Sequence, residues 1–428
     1  MINFKSKLPQ KLQQVRIRYL LLKGTLFPFA LITSLFFFIL RPFCLVRIVW
    51  LGRNIGQSTV CTELERLQAL EFNKKSSRKM ITIFLSDGRE ASRYLVKFWS
   101  QNAFVIRGSW GWLLNEIYGR RLSPATNSRI KSTSSLVDFE GLLQDSWLQI
   151  PRFNRDEYKR GKAFVDSICP GGKFVCLNVR DAAYYRSQVR LKSNASYHFY
   201  RDSEIATYDL AAEALAEIGY TVFRMGAIVD KPLVSKHPRV IDYATNGMRS
   251  EFLDFFLGAH CAFCVSTGSG WDGIPTIFRR PTLFVNLLPT FAPSVLCLKS
   301  LVYPKHFVKI SNQDVLSLRE LAERKLATTD RHMIYHDENG EAISDFGNVG
   351  VEIRDLSSEE LVEAVTEMTQ RFEGTFVETP EQKEMQAKLR HILSTYQKLQ
   401  PSPNYYPIRA QFASCFLSRN PNFLDGLD

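Results

Sequence analysis

Apolar and polar residues alternate along the chain in a pattern that predicts strands and helices in turn. In the first part of the chain, residues 45–51 and 80–85 form β-rich apolar runs, with an amphipathic stretch over 58–70 between them. Helical patterns follow at 91–99 and 110–117. Neighbouring strand–helix units of this kind indicate a parallel sheet.

The same alternation is more regular between residues 173 and 285. Strands are predicted at 173–179, 220–224, 240–243, 261–265 and 281–285, and helices at 205–218, 251–258 and 271–278. Ser203 and Ser250 are suited to cap the first two helices, and Gly219 to end the first. Strand–helix alternation at this spacing predicts right-handed crossovers and a doubly wound sheet.

Breaks in the pattern divide the chain into domains. Residues 123–136 are Ser-rich and predict a loop, and Cys169-Pro-Gly-Gly172 is a strong break, so we place a domain boundary within 150–172. Past residue 310 the pattern is mainly helical, at 315–326, 356–372 and 381–399. We predict an α/β protein with two Rossmann-like doubly wound domains. The predicted divisions are a basic arm and apolar segment (1–43), a first domain (44–165), a second domain (166–375) and C-terminal helices that can return to the first domain (376–428).

The net charge of +12 is concentrated near the N-terminus. Nine basic residues precede the first acidic residue, Glu63, which leaves only +3 for the rest of the chain. A nucleic-acid-binding domain would carry a basic face on its folded part, so we expect no nucleic-acid partner. A basic arm of this kind is typical of chains that lie beside an anionic membrane surface.

Residues 24–40 form an uncharged run of 17 residues, at the short limit for a bilayer span. Pro28 interrupts the run, Arg41-Pro42 ends it, and no small-residue cleavage site follows. Three interpretations stay open: a single span that places the rest of the chain outside, a monotopic anchor, or a buried helix of a soluble domain. The eight cysteines lie mostly in apolar runs without framework spacing, as expected for reduced thiols in the cytosol. They favour the last two interpretations, and we expect a peripheral or monotopic protein on the cytoplasmic face of the inner membrane.

Polar residues follow several predicted strands, where ligands bind in open α/β sheets. Arg180 and Asp181, directly after the strand at 173–179, are the candidate catalytic pair. The donor-side binding candidates lie at these strand ends or in the Tyr-rich loop over 182–203: Asn178, Arg201, Arg224, Gly226, Ser266, Thr267, Gly268, Ser269, Gly270, Asp272 and Asn286. Their convergence at one edge, rather than any single residue, indicates a binding site.

The segment Ser266-Thr-Gly-Ser-Gly270 offers backbone N–H groups, hydroxyls and a helix N-terminus, which together suit a diphosphate. It is neither a Walker A loop nor a dinucleotide fingerprint, and a Gly-rich turn is more often structural than functional. Arg180 can bind the same phosphate, or it can pair with Asp181 or Asp202. Asp181 and Asp272 can contact a ribose, act as a general base or cap a helix.

Metal chemistry has little support in the sequence. Cys261-x-x-Cys264 lies next to His260 but has no second ligand pair, and the surrounding run predicts a buried strand. No strand ends in Asp-x-Asp, and no Ser-centred elbow is present. We therefore predict a site without metal or cofactor, in which cations stabilise phosphate charge. The absent dinucleotide fingerprint argues against an epimerase or oxidoreductase.

Six segments carry a resemblance to a known family. In chain order they are residues 174–181, 200–203, 219–226, 241–243, 265–272 and 281–289. Together they resemble a family of bacterial glycosyltransferases from surface-polysaccharide gene clusters, with weaker similarity over 45–70 and 349–374. That family is similar to two-domain transferases of the GT-B type, in which the N-terminal domain binds the acceptor and the C-terminal domain the donor.

The resemblance implies a nucleotide sugar as co-substrate and a lipid-linked or polysaccharide acceptor. It also implies acceptor-side residues at Asn54, Gly56 and Gln57. The family's glycine turn carries His where this chain carries Gln57, and glutamine cannot accept a proton at neutral pH. The sequence thus predicts a membrane-associated glycosyltransferase, with a non-catalytic nucleotide-binding or scaffold subunit of a polysaccharide assembly complex as the alternative. Donor sugar, nucleotide, stereochemistry and catalytic base stay undecided.

Overall fold

The computed structural model describes most of the chain as two compact units. The described residues are 42–118, 140–144, 148–169, 171–187, 195–289, 299–327, 334–337, 339–399 and 410–425, with residue 138 and isolated positions between 25 and 40. Unit 1 lies within Met1–Asn54 and Thr62–Thr133, and unit 2 within Ile55–Cys61 and Ser134–Asp428. The loop predicted at 123–136 lies outside the described residues. The domain boundaries predicted from the sequence stay predictions.

Unit 1 contains a three-stranded parallel sheet in the order β1-β2-β3. Its strands are β1 (Cys44–Trp50), β2 (Lys79–Leu85) and β3 (Phe104–Ile106), and its helices are α1 (Thr62–Lys75), α2 (Arg93–Asn102) and α3 (Gly108–Tyr118). A buried ion pair joins the first strand to the first helix, with Arg47 Nη1 2.6 Å from Glu65 Oε2. The Ser92 hydroxyl accepts a hydrogen bond from the N–H of Leu95 and caps α2.

Unit 2 contains a seven-stranded sheet in the order β12-β9-β8-β7-β4-β5-β6, in which every neighbouring pair is parallel. The strands are β4 (Phe174–Asn178), β5 (Thr221–Arg224), β6 (Val240–Ile241), β7 (Cys264–Ser266), β8 (Thr282–Leu287), β9 (Leu301–Pro304) and β12 (Gln411–Phe412). A separate antiparallel pair consists of β10 (His306–Lys309) and β11 (Val351–Arg354). The predicted α/β fold with parallel sheets is confirmed.

The order of these strands creates one topological switch point. The chain runs outward from β4 through β5 to β6, returns to β7 on the other side of β4, and continues outward through β8 to β9. This is the arrangement of doubly wound folds, in which connections on the two sides of the switch leave the sheet in opposite directions. A crevice therefore forms beyond the carboxyl ends of β4 and β7, and this position is where ligands bind in such sheets.

The helices of unit 2 follow the predicted pattern in most places. They are α4 (Arg155–Ile168), α5 (Ala183–Ser187), α6 (Asp209–Glu217), α7 (Glu251–His260), α8 (Gly273–Ile277), α9 (Leu318–Glu323), α10 (Ser358–Glu373), α11 (Pro380–Leu399) and α12 (Ser414–Arg419). The Ser250 hydroxyl caps α7, as predicted. Ser203 caps no helix, because the 3₁₀ turn Ile205–Tyr208 precedes α6 and Glu204 is its N-cap residue. Helix α4 occupies the predicted boundary region and begins with a capping box of Asn154 and Glu157.

The N-terminal apolar segment is described at only a few positions. Ile32, Phe36 and Phe38 are helical, and each exposes more than half of its surface. Within the part of the chain that the structure describes, no helix is both long enough and apolar enough to cross a bilayer. The membrane-associating helix predicted over 24–40 stays a prediction, since most of that run lies outside the described residues.

Candidate functional site

The carboxyl ends of β4 and β7 bring two predicted site residues side by side. Asn178 ends β4 and is the Cα partner of Ser266, which ends β7. Both side chains are buried. The Asn178 amide nitrogen Nδ2 donates to the Ser269 hydroxyl at 2.7 Å and to Asp272 Oδ1 at 3.2 Å. The switch point of the sheet therefore joins the end of one strand to the Gly-rich loop that follows the other.

Asp272 holds this loop together from within. Its Oδ1 accepts a hydrogen bond from the Ser266 hydroxyl at 2.6 Å, and its Oδ2 accepts one from the Ser269 N–H at 2.5 Å. The side chain is buried, and burial raises the pKa of its carboxyl to about 6. Because the side chain is buried and both of its oxygens bind the loop, this geometry favours a positioning role for Asp272 over the predicted contact with a donor.

The backbone of the loop is also committed to internal bonds. The Thr267 N–H donates to the Asn178 carbonyl at 3.2 Å, and the Gly268 N–H donates to the Ser266 hydroxyl at 3.2 Å. Gly268 has φ +83°, where an L side chain is strained, and a Cβ there would lie 2.7 Å from Leu287 Cδ1. Internal hydrogen bonds thus hold the loop in one conformation and occupy the N–H groups of Thr267 and Gly268. The cations near the loop are side chains.

Three cations surround the carboxylate of Asp202. Arg180 Nη1 lies 2.7 Å from Asp202 Oδ1, and Lys305 Nζ donates to the Asp202 backbone carbonyl at 2.6 Å. Lys305 also pairs with Asp355 at 2.6 Å, while burial lowers the pKa of the lysine. Burial raises the pKa of Asp202, even though Arg180, Lys305 and Arg201 favour its charged form. We call Arg180, Arg201 and Lys305 the cation cluster. They form a binding site for an anion, and the Asp202 carboxylate occupies this site.

Arg201 connects the cation cluster to the Gly-rich loop. Its Nη2 donates to the Gly268 carbonyl at 2.8 Å, and its charge acts on both Asp202 and Asp272. The Nε atom of Arg201 is buried and makes no hydrogen bond to any residue that the structure describes. A buried donor without a protein partner is uncommon, and a ligand or water that binds it is one explanation. The loop and the cations therefore form one candidate site.

A cavity of about 310 Å³ opens beside the cation cluster, at the ends of β4 and β5. Its lining residues are Val179, Asp181, Ala182, Asp202, Ser203, Glu204, Ile205, Arg224, Asp230, Lys231 and Asp355. Asp181 accepts backbone hydrogen bonds from the N–H groups of Ala183 and Asp230, each at 2.9 Å. The Arg224 guanidinium is fully buried and donates to the Lys231 carbonyl at 3.1 Å and to Asp242 at 3.4 Å.

Two predicted donor-side residues have structural partners instead. Asn286 is fully buried with φ 51°, and its amide donates to the Tyr208 hydroxyl at 2.9 Å and accepts from the Leu356 N–H at 2.8 Å. It thereby fixes the entry to α10. Gly226 has φ +153° in the turn after β5, and a Cβ there would lie 2.5 Å from Val229 Cγ1. Neither residue makes a contact with the cation cluster or the Gly-rich loop among the described interactions.

The predicted acceptor-side residues fall in different units. Asn54 is exposed in unit 1, whereas Gly56 and half-buried Gln57 belong to unit 2. A Cβ at Gly56 would lie 3.2 Å from the Gly270 Cα, so the two backbones pack directly against each other. The π-helical turn Gln57–Cys61 continues this contact, since a Cβ at Gly273 would lie 2.0 Å from the Thr59 hydroxyl oxygen. The segment Ile55–Cys61 thus packs against the C-terminal end of the Gly-rich loop and the first residue of α8.

The sequence interpretation missed Lys305 and Asp355 and treated Asp202 only as a partner of Arg180. Lys305 directly follows β9, and Asp355 directly follows β11. The rule that polar groups at strand ends form sites would have found both residues, had these two short strands been recognised. The apolar run at 301–304 was the available signal for β9.

Cys261 and Cys264 are buried in the core of unit 2, and neither forms a disulfide. Among the described residues, no group of three or more His, Cys, Asp or Glu side chains could hold a metal ion.

Comparison with known proteins assigns no family. No protein-family model matches the chain, and no curated protein matches it. Solved structures that match include the ADP-heptose LPS heptosyltransferase II of E. coli, at 12% identity and a TM-score of 0.32, with 60% of this chain and 89% of that one covered. The glycosyl transferase family 9 protein from Veillonella parvula DSM 2008 matches at 10% identity and a TM-score of 0.36, covering 60% and 85%. The UDP-GlcNAc 2-epimerase of Methanocaldococcus jannaschii matches at 12% identity and a TM-score of 0.27, covering 76% and 99%. Similarities at these values give this chain neither a family nor an activity.

Proposed function

We propose that the chain is a glycosyltransferase that moves a sugar from a nucleotide-sugar donor to a lipid-linked or polysaccharide acceptor in bacterial surface-glycan synthesis. The observation that carries the proposal is the cation cluster around Asp202, joined through Arg201 to the Gly-rich loop at the switch point. Guanidinium groups bind phosphate oxygens as readily as carboxylates. A diphosphate can therefore replace the Asp202 carboxylate as their partner, with its attached group in the adjoining cavity.

The proposed reaction uses these cations to stabilise the leaving group. The acceptor hydroxyl oxygen forms a bond to the anomeric carbon and its proton passes to a base, for which Asp181 is the candidate. The bond from that carbon to the phosphate oxygen breaks, and the nucleoside diphosphate departs. Negative charge grows on the departing phosphate, so Arg180 and Arg201 would lower the barrier most at that stage. Asp181, on the wall of the cavity, is the proposed carboxylate beside the reacting carbon. The transfer needs no metal in this scheme, because side chains supply the positive charge.

We assign the donor to unit 2 and the acceptor to unit 1, in the manner of two-domain GT-B transferases. The uncharged run at 24–40 and the nine basic residues that precede Glu63 would hold the enzyme at the cytoplasmic face of the inner membrane, peripherally or monotopically. Flotation of the full chain with vesicles tests this part. We expect binding to phosphatidylglycerol-containing vesicles and weaker binding to purely zwitterionic ones; a chain that binds neither would contradict membrane attachment.

Binding of nucleotide sugars tests the central assignment. Thermal-shift and calorimetric measurements with UDP-, GDP-, ADP-, CMP- and TDP-linked sugars should identify one nucleotide that raises the melting temperature of the full chain. Arg180→Ala and Arg201→Ala should each weaken that binding by about 10-fold or more, since a charged hydrogen bond contributes roughly 1.5–3 kcal/mol. Both variants should also lose transfer while retaining the fold by circular dichroism.

Arg319→Ala is the matched control, because Arg319 is an exposed arginine of α9 that pairs with Glu323 at 2.8 Å. It should bind the nucleotide sugar as the parent chain does. Full transfer by Arg180→Ala would remove Arg180 from the proposed machinery. A stable parent chain that binds no nucleotide sugar would favour the alternative, a non-catalytic scaffold of a polysaccharide assembly complex.

A further inference from the structure

The cavity at the ends of β4 and β5 has room for a small ligand group. Its volume of about 310 Å³ lies at the lower end of the range for ligand pockets. Val179, Ala182 and Ile205 are its apolar lining residues, and the described lining contains no aromatic side chain on which a base could stack. The cavity therefore suits a hydroxylated group better than a nucleobase.

Asp202 places this cavity next to the proposed phosphate seat. Asp202 is one of the lining residues, and its carboxylate is the group that Arg180 binds at 2.7 Å. A ligand whose phosphate replaced that carboxylate would hold its next group inside the cavity. In a nucleotide sugar, the groups attached to the diphosphate are the ribose and the donor sugar. We place the donor sugar in the cavity, because a ribose there would need an adjoining surface for its base and the described lining has no aromatic side chain.

The wall of the cavity is negative. Its lining includes five acidic residues, Asp181, Asp202, Glu204, Asp230 and Asp355, and two basic residues, Arg224 and Lys231. The cations that pair with three of these carboxylates are Arg180, Arg186 and Lys305, and none of the three belongs to the described lining. Only the Glu204–Lys231 pair, at 2.8 Å, has both partners on the wall. A ligand in the cavity therefore meets more negative than positive charge.

The wall also offers the hydroxyl of Ser203. This residue is more than nine-tenths buried and lines the cavity, and its Oγ lies beside the Tyr208 hydroxyl. A hydroxyl group has one donor and two acceptor positions, so Ser203 can bond a ligand hydroxyl in addition to Tyr208. An ionised carboxylate also accepts hydrogen bonds from hydroxyl groups, about two at each oxygen. Both features of the wall suit a polyhydroxylated ring.

Resting on the proposed function, we infer that the donor sugar carries no acidic group. The hydroxyl groups of an uncharged sugar would donate hydrogen bonds to the carboxylates of the wall, whereas a uronate or a nonulosonate would bring another carboxylate against them. Like charges that face each other in a binding site oppose binding strongly and act as a filter on substrate choice. The cavity thus selects by charge, while the cation cluster binds the phosphate that all donors share.

Matched donor pairs test this inference on the full chain. Calorimetry would compare UDP, GDP, ADP and TDP alone, each linked to glucose, and each linked to glucuronate, with CMP-sialic acid as a further acidic donor. Glucose and glucuronate differ only at C6, where CH₂OH becomes a carboxylate. We expect the glucose conjugate of the preferred nucleotide to bind about 10-fold or more tightly than its glucuronate conjugate. We expect CMP-sialic acid not to bind.

The outcomes separate the inference from the proposed function. Binding of an acidic donor as tight as that of its uncharged counterpart would overturn the inference and leave the glycosyltransferase proposal intact. If no nucleotide and no conjugate binds, the proposed function fails, and the inference with it. Asp230→Asn, which removes one wall carboxylate, should reduce the glucose preference by about 3-fold or more, whereas Asp314→Asn, an exposed carboxylate outside the described lining, should not. An unchanged preference in Asp230→Asn would show that the discrimination arises elsewhere and would overturn the assignment to this cavity.

Discussion

Replacing Asp202 by Asn removes the charge that occupies the cation cluster and keeps the size of the side chain. In the parent chain Arg180 Nη1 lies 2.7 Å from Asp202 Oδ1, and a donor phosphate must displace this contact before it can bind Arg180. A hydrogen bond between charged groups contributes about 1.5–3 kcal/mol. The Asp202 side chain is 26% exposed, so solvent screens part of the attraction and the lower figure applies. Since about 1.4 kcal/mol is a tenfold change in Kd, the nucleoside diphosphate should bind Asp202→Asn about 10-fold more tightly.

The substitution should leave the fold intact. Burial already raises the pKa of Asp202, which means that the ionised carboxylate is held at a cost despite the three cations around it. A neutral amide removes that cost, and Arg180 keeps its hydrogen bond to the His198 carbonyl at 3.2 Å. We expect the melting temperature to change by only a few degrees, and the stabilisation by a saturating nucleoside diphosphate to increase. Calorimetry gives Kd, and thermal shift gives the stabilisation.

Asp230→Asn is the control for this experiment, because Asp230 lines the same cavity but pairs with Arg186 outside the cation cluster. It should leave the Kd of the free nucleoside diphosphate unchanged. Weaker binding by Asp202→Asn would refute the reasoning, since it would mean that the carboxylate contributes to the bound state. If Asp202→Asn and the parent chain bound the nucleoside diphosphate with the same Kd, phosphate would not compete with Asp202 for Arg180. The cation cluster would then not be the phosphate-binding site.

Two further substitutions probe the loop and the fold. Gly268→Ala should weaken nucleotide-sugar binding by about 10-fold or more in calorimetry, because φ +83° costs an L residue roughly 1–2 kcal/mol and the new Cβ would lie 2.7 Å from Leu287 Cδ1. Glu360→Gln should flatten the acid side of the curve of melting temperature against pH. Burial raises the pKa of Glu360, but hydrogen bonds from His306 and the Ser357 N–H outweigh burial and lower it to about 2. With the folded pKa below the ordinary value of 4.5, the carboxylate stabilises the fold above about pH 4.5 by up to about 3 kcal/mol, and this stability is lost as the pH falls toward 2.

Each substitution has a matched control within unit 2. Gly350 has φ +72° with nothing within 4 Å of a Cβ, so Gly350→Ala carries similar backbone strain without a steric contact and should leave nucleotide-sugar affinity unchanged. Equal losses in the two glycine variants would show that the effect comes from global stability. Tyr303→Phe removes a 2.9 Å hydrogen bond to Glu360 but keeps its charge, and should therefore keep the acid dependence. An unaltered pH curve in Glu360→Gln would remove Glu360 from the explanation of acid stability.

The central layer of unit 2 was predictable because its strands are buried on both faces. Such strands appear as continuous apolar runs, and β4, β5 and β8 lie within one to two residues of their predicted ends. Strands β3 and β12, of three and two residues, are too short to produce a pattern and form because longer neighbours offer them a hydrogen-bonding edge. Helix α4 was missed because its charged surface resembles a linker, although Asn154 and Glu157 gave a capping signal.

The place in the fold of the candidate site could be predicted from the sequence, but the hydrogen-bond partners of its polar groups could not. Strand ends and glycines located Asn178 and the Gly-rich loop, since both depend on local sequence. The sequence allowed Arg180 to pair with Asp181 or with Asp202, because the choice depends on the fold of the loop after β4. In the structure Arg180 pairs with Asp202. The sequence left a ribose contact, a general base and a helix cap open for both Asp181 and Asp272. The structure distinguishes them, since Asp181 lies on a cavity wall and Asp272 is buried inside a loop.

The packing of Ile55–Cys61 against α8 affects the order in which the chain can fold during synthesis. This segment belongs to unit 2, yet it interrupts the sequence of unit 1 and leaves the ribosome roughly 200 residues before its partner at Gly273. The strands of unit 1 can pair early, but the turn that carries Gly56 and Thr59 can pack only after the Gly-rich loop has been synthesised. A nascent chain arrested before α8 would expose this turn. Completion of the Gly-rich loop is thus a late event that depends on a segment made much earlier, and a fragment beginning after residue 133 would lack a piece of the core of unit 2.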